Sequence, residues 1–226
     1  MSPRPYQLGR RQAATDETRA RILTAARELL TAEQGFTGFS MEAVARQADV
    51  ARMTVYHQFG SKVGLLEALC DTLASSGGMG MEQLGNAFRK ADPRETLDEY
   101  VAVFGRFWQS DRIVLRRLRG LAALDPDFGQ VIRARDERRR TGLGVLARRI
   151  LTQEGQPEGQ ALDEIVNALS GLTSFAFFDT LAGPARTLEE VAPLVSQIAH
   201  AALESMRQAL PPEPARNADR TEKTGN

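Results

Sequence analysis

Between Ser40 and Phe59 the apolar positions fall into two short helical runs. Val44, Ala45 and Ala48 recur at the three-and-four spacing of one helix face while Glu42, Arg46 and Gln47 point away, which predicts a short amphipathic helix. Ser40 suits its start, because a serine hydroxyl accepts a backbone N–H left free in the first turn and Glu42 then sits at the positive helix end. Asp49 ends the run and Val50 can plug the core at the turn. The next helix is predicted from about Arg52 to Phe59, with Val55 and Phe59 inward at an i, i+4 spacing. Its outer face collects Arg52, Met53, Tyr56 and His57. A further helix, VGLLEALCDTL, follows Lys62.

The same reading extends along the whole chain. The segment TRARILTAARELLTAEQGF predicts a helix that ends in a Gly35-Phe36 turn. Ser75-Ser76-Gly77-Gly78-Met79-Gly80 is the clearest break in composition. Beyond it, helical spacing runs over 82–90, 93–109, 113–124, 127–153, 159–181 and 188–210, punctuated by Asp92-Pro93, Asp125-Pro126, Gly155-Gln156-Pro157 and Gly183-Pro184. No alternating strand pattern occurs, so the expected fold is all-α with about nine helices. Four regions are expected: a flexible basic arm (1–16), a helix-turn-helix domain (17–77, motif 40–59), a second helical domain (78–210), and a proline-rich polar tail (211–226) expected to be disordered.

Two short helices joined by a tight turn are the layout of a helix-turn-helix DNA reader. The outer face of the second helix carries chemistry that fits a major groove. Arg52 can pair two-pronged with a guanine, Met53 can lie against a thymine methyl, and Thr54 or Tyr56 can donate a hydroxyl to a phosphate. His57 is a second candidate base reader. Lys62, at the start of the next helix, can hold a further phosphate. Ser40 and Met41, opening the first helix, complete the expected DNA-facing set. Helical pairs of this kind also fill many all-α proteins, and Val55, Tyr56 and Phe59 taken alone suit a core equally well.

The string Val50, Ala51, Arg52, Met53, Thr54-Val55-Tyr56, His57-Gln58, Phe59, Gly60, Ser61-Lys62 resembles the motif of the TetR-type transcriptional regulators, and with the preceding helix the resemblance covers roughly 17–77. Two residues depart from that motif. Ala51 stands where a capping serine is usual, which costs on the order of 1 kcal/mol of local helix stability, and Gln58 stands where a histidine is common. The resemblance implies an all-helical fold, a DNA-binding front domain, and a second domain that forms a two-fold dimer and holds a small-molecule effector. It carries over those roles and not the positions that serve them.

Length and charge refine this picture. The 226 residues leave about two-thirds of the chain for work beyond the helix-turn-helix. The 29 basic and 29 acidic residues balance, which argues against a nonspecific nucleic-acid coat. Up to Lys62, however, nine basic residues face six acidic ones. The Arg10-Arg11 arm can reach a minor groove or merely solubilise the chain. The single cysteine, Cys70, rules out a disulfide framework and suits a reducing compartment. No run of some eighteen apolar residues and no signal-peptide pattern appear, so a cytoplasmic protein without a membrane partner is expected.

In the second domain Phe104, Phe107 and Trp108 lie within about a turn of one another, and Phe175, Phe177 and Phe178 crowd LSGLTSFAFFDTLAG. Phe104, Phe107, Trp108, Phe175 and Phe178 are the candidate lining of an effector pocket; the other reading is ordinary core. The last two long helices carry Ile165, Leu169, Leu172 and Ala176, then Leu194, Ile198 and Ala201, with small Ala168, Gly171 and Ala202 allowing close approach. That pattern suits a four-helix contact between two subunits. The stretches RRLRG and RARDERRRTG read as a solvated face with ion pairs inside each helix, an acidic effector on Arg116 or Arg135 being the lesser option.

Two distant histidines, His57 and His200, no metal-ligand spacing and no nucleophile elbow give catalysis little foothold, so no catalytic residue, metal or cofactor is expected. The function expected is a dimeric repressor of a palindromic double-stranded DNA operator, released by a small-molecule effector. Coupling is expected through the helix after Lys62, as the one link between reader and pocket. An effector-independent or architectural DNA-binding protein, and more remotely a helical enzyme, are the alternatives.

Overall fold

Local start signals decide where most helices begin. Asp92 accepts the Arg94 backbone N–H with Pro93 as first helical residue, and Asp125 accepts the Phe128 N–H with Pro126 in that place. Proline costs nothing there, since its missing N–H has no helical partner. The computed structural model describes residues 4–33, 38–79, 81–155 and 159–209. Within them the chain forms eleven helices: α1 Arg4–Thr31, α2 Met41–Gln47, α3 Arg52–Phe59, α4 Lys62–Ser76, α5 Met81–Phe88, α6 Pro93–Ser110, α7 Arg112–Leu124, α8 Pro126–Gln153, α9 Gly159–Leu172, α10 Phe175–Ala182 and α11 Leu188–Ala209. The expected Gly35-Phe36 turn and the tail 211–226 lie outside the described residues.

Three differences from the sequence reading have physical causes. The backbone is helical from Arg4, so the segment expected to be a loose arm forms the first turns of α1. The single helix expected over 159–181 is two, which accounts for part of the excess over about nine helices. At the break the Ser174 hydroxyl accepts the Phe177 N–H and starts a new helix, while the Thr173 carbonyl turns aside to accept the Trp108 indole N–H at 3.2 Å. The two pieces meet at 48°.

The third difference concerns the arginines of α7 and α8. Beside the Arg139–Asp136 pair within α8, many of their bonds run between helices: Arg119 to Asp136, Arg116 to Asp179, Arg135 to Asp71 on α4, and Arg139 to the Ser170 carbonyl and Thr173 hydroxyl. The cause is the position of α8, which packs against α4, α6, α7 and α9 and turns Arg135 and Arg139 toward them, while Gln130, Arg133, Glu137, Arg138 and Thr141 stay exposed on its other side.

The C-terminal half is built around α6 and α11. Gly105 permits their close crossing, since a Cβ there would meet the Ala192 Cβ at 3.0 Å. In the front half, α1 crosses α2 and α4, and Ile22, Ala26 and Leu30 bury fully against Val44, Val55, Leu65 and Leu66. Each such aliphatic side chain contributes about 2 kcal/mol by leaving water. Among the described residues no single helix is long and apolar enough to cross a membrane.

Candidate nucleic-acid interface

The reader rests on two capped joints. The Ser40 hydroxyl accepts the Ala43 N–H at 3.1 Å and starts α2, whose Val44, Ala45 and Ala48 are buried while Glu42, Arg46 and Gln47 face out. At the turn Asp49 takes a left-handed conformation with φ of 50°, which aspartate tolerates better than most residues, and the Val50 N–H returns to the Ala45 carbonyl. Ala51 supplies no side-chain cap to α3, as its identity implies. Behind α3, Gly60 at φ 73° closes the helix, and the Ser61 hydroxyl accepts the Gly64 N–H at 3.1 Å to open α4. Gly64 is required there, because a Cβ would lie 2.2 Å from the Phe59 carbonyl oxygen.

Val55 is fully buried and roots α3 in the core, which turns the opposite face outward. Arg52, Met53 and His57 are exposed, and Thr54 and Tyr56 are half-buried. Met53 is 61% exposed although it is apolar. Arg52 leans on Tyr56, donating to its hydroxyl at 3.3 Å with the guanidinium 5.4 Å from the ring centroid. Lys62 lies at the first position of α4, its ammonium 6.0 Å from the Phe39 ring. Ser40 is exposed beside this face. Its oxygen serves as the cap acceptor and its O–H remains available to donate. Met41 does not belong to the face: it is buried, since the first residue after the cap turns into the core.

No local pattern marks the residues that hold α3 in place. Arg19 on α1 donates to the Gln58 carbonyl at 3.0 Å and lies 4.4 Å from the Phe59 ring centroid, satisfying the end of α3 from a helix some forty residues earlier. Gln47 donates to Glu28 at 2.9 Å and ties α2 to α1.

The reader joins the other half through two helices rather than α4 alone. Arg135 on α8 grips α4, donating to the Asp71 carboxylate at 2.7 Å and the Glu67 carbonyl at 3.2 Å. α1 is held as well: Arg27 pairs with Asp111, and Arg117 on α7 donates to the Leu30 and Ala32 carbonyls at the α1 C-terminal end.

The aromatic residues considered for a pocket are packed core. Phe104, Phe107, Trp108, Phe175 and Phe178 are all buried, with ring centroids of successive neighbours from Phe104 to Phe175 between 4.6 and 6.4 Å apart. Aromatic contacts at that spacing are favourable in themselves, so the cluster closes on itself. Two open clefts are lined by other residues. One, of about 620 Å³, lies between α1 and α4 beside Leu23, Arg27, Leu69, Leu73 and Asp111. The other, of about 540 Å³, lies between α6 and α11 beside Asp98, Arg106, Ala192, Ser196 and His200. In the latter His200 Nε2 meets Asp98 Oδ1 at 2.7 Å, and burial, which raises the Asp98 pKa, is outweighed by the Ser196 and His200 hydrogen bonds that hold it below the usual carboxylate range. Among the described residues no cluster of His, Cys, Asp and Glu is arranged to hold a metal. Cys70 is buried, and burial pushes its thiol up to about 11, so it is a small core residue.

The outer faces of α9 to α11 divide the residues considered for a subunit contact. Ile165 and Leu169 turn into the core, because α9 packs on α8 through them. Leu194, Ala201, Gly171 and Ala176 are exposed, and Ile198, Leu172, Ala168 and Ala202 are half-buried.

Residues 22–69 match the family model described as bacterial regulatory proteins, tetR family. The chain is also 41% identical over 58 residues to the HTH-type transcriptional regulator UidR of Escherichia coli, a match over 26% of this chain and 29% of that protein's length. Among solved structures it is similar to the Bacillus subtilis regulator FadR in complex with stearoyl-CoA, with TM-score 0.61 and 18% identity over 80% of this chain and 96% of that one. A Saccharomonospora viridis protein solved with choline gives TM-score 0.59 and 19% identity over 84% and 96%. At those identities the likeness to the two structures is one of fold.

Proposed function

We propose that this chain is a member of the tetR family of bacterial regulatory proteins, a dimeric cytoplasmic repressor that leaves a palindromic operator when a small-molecule effector binds. One observation carries the reading: α3 is rooted by the fully buried Val55 and turns Arg52, Met53 and His57 to the outside. Met53, apolar and 61% exposed at the front of this short helix, is placed to lie against thymine methyl groups.

In this reading the front domain, about 17–77, reads DNA and the remainder senses. Arg52 reads a guanine and His57 a neighbouring base edge. Tyr56, Thr54, Lys62 and the Ser40 hydroxyl hold phosphates and fix the register. One α3 contacts only a few base pairs, so two copies must act together. The exposed Leu194 and Ala201 of α11 and Gly171 and Ala176 of α9–α10 form the contact that pairs them, setting the recognition helices about 34 Å apart, one turn of duplex. Effector binding favours an arrangement in which that spacing is lost. The similar structures hold ligands of unlike charge, stearoyl-CoA and choline, so the chemistry of this effector has to be sought in the chain's own residues.

The test is a gel-shift and footprint on the promoter beside the chain's own gene. Tyr56→Phe with Lys62→Ala is expected to weaken binding to every sequence and flatten its salt dependence, whereas Arg52→Ala relaxes specificity at one position. Leu194→Glu is expected to give monomers with little operator affinity. Equal binding by all these variants refutes the reading. Binding that no metabolite releases supports an effector-independent DNA-binding protein, a reading favoured by the closed packing of the aromatic cluster.

A further inference from the structure

Beside the aromatic cluster two guanidiniums share one carboxylate. Arg119 on α7 donates to both Asp136 oxygens at 3.2 and 3.0 Å, and Arg139 on α8 approaches the same carboxylate at 3.8 Å. The pair therefore carries one positive charge more than its partner neutralises. Arg139 is the deeper group, its side chain only 8% exposed, 6.0 Å from the Phe104 ring centroid and donating through one nitrogen to the Ser170 carbonyl and the Thr173 hydroxyl. Its Nε is buried and, among the described residues, has no hydrogen-bond partner; the same holds for the Ser170 hydroxyl, on the residue whose carbonyl Arg139 grips. A buried cation in excess, with an unused donor and an unused hydroxyl beside it, costs stability and is retained where an anion completes it. Burial also draws the Arg139 pKa down from its ordinary value, as expected for a guanidinium short of negative charge.

We infer that Arg119, Arg139 and the Ser170 hydroxyl form the seat for the anionic group, a carboxylate or a phosphate, of a small-molecule effector. The inference rests on the reading of this chain as a ligand-responsive regulator and gives the ligand's chemical class. Arg119 lies 5.4 and 5.9 Å from the ring centroids of Trp108 and Phe175, so an anion drawn to it alters the surroundings of that tryptophan. Arg119 and Asp136 are partly exposed, and an anion arriving along them competes with Asp136 for both guanidiniums. The seat is also one helical turn from the reader's anchor. Arg135, four residues before Arg139 and on the same side of α8, holds Asp71 and the Glu67 carbonyl of α4. A shift of α8 at the seat is thus passed to the helix that follows α3.

Trp108 is the chain's one tryptophan and serves as the reporter. The full chain is titrated at constant ionic strength with benzoate, phenyl phosphate and the uncharged benzamide, following Trp108 emission. A saturable change with at least one anion and none with benzamide is expected. Arg139→Gln weakens that binding roughly ten- to a hundredfold and Ser170→Ala roughly three- to tenfold. Arg138→Gln, at an exposed position of the same helix, leaves it unchanged. Should Arg139→Gln fail to fold by circular dichroism, Ser170→Ala and Arg119→Gln decide, since neither removes a bond that Arg139 makes to α9. No response to either anion, an equal response to benzamide, or unaltered binding in the variants overturns the inference. No DNA is present in this titration. Anion binding by a chain that never binds an operator therefore leaves the seat standing and sinks the repressor reading, and operator binding without an anion response does the reverse.

Discussion

Replacing Gly64 by alanine tests whether the joint between α3 and α4 is as tight as the geometry requires. The added Cβ would lie 2.2 Å from the Phe59 carbonyl oxygen and 3.3 Å from its carbon, so roughly an ångström of separation must open. The obstacle is backbone rather than the end of a flexible side chain, so α3 and α4 must move apart. Overpacking of this kind costs about 1–3 kcal/mol, toward the upper figure where backbone must yield. Against it stands the better helix propensity of alanine, worth about 1 kcal/mol. The net is a destabilisation of about 1–2 kcal/mol, a fall in Tm of roughly 2–8 °C for a chain of this size. Operator affinity is expected to fall further than stability alone accounts for, because the displaced element is the one that presents Arg52 and His57. Gly85→Ala, in α5 with open space around the new Cβ, controls for propensity and is expected to be neutral or stabilising by up to about 1 kcal/mol. Thermal melts and gel-shift titrations of the two variants decide the matter. A Gly64→Ala protein with unchanged Tm and unchanged affinity refutes the reasoning.

Arg135→Gln, which frees Asp71 and the Glu67 carbonyl of α4, is expected to leave operator affinity within a few fold while blunting release by effector; release with unaltered response in the gel-shift counts against α8 as a link. Cys70 stays protonated at pH 8 because burial pushes its thiol up to about 11, so the native protein resists a thiol reagent that labels the guanidinium-unfolded chain at once, and rapid labelling of the native form contradicts its placement. Burial of Asp179, which raises its pKa, is outweighed by hydrogen bonds from Arg116 and Arg112 that hold it below the usual carboxylate value. A carboxylate depressed in the folded state contributes stability that is present above its unfolded pKa, about 3.9, and lost as pH falls through the folded value. Asp179→Asn should therefore lose stability at pH 7 and flatten the acid limb of a melt series, and an unchanged limb excludes that role. Asp49→Ala is expected to cost roughly 1–2 kcal/mol by denaturant melt, since alanine pays the full left-handed penalty at φ 50°, and Asp49→Gly should not.

What the sequence determined by itself is short-range. Ser40, Asp92-Pro93 and Asp125-Pro126 announce their helices because a cap acts within three residues, and the inward Val44, Ala45, Ala48 and Val55 follow from helical period alone. The outward face of α3 was legible for the same reason, since its buried side fixes its exposed one. Ser174 also carried a cap signal, masked by the apolar residues on both sides of it. Tertiary structure decided whatever depends on a distant partner. Met41 is hidden in the core, the aromatic residues close on one another instead of lining a space, and α1 joins α4 in tying the reader to the rest. Arg135 reaches Asp71 across 64 residues and Arg139 reaches Thr173 across 34, so a run of arginines that suits a wet surface by spacing became a set of inter-helix clamps. Spacing along one helix fixes which residues share a face, but the neighbours packed on that face come from elsewhere in the chain and decide whether it is wet.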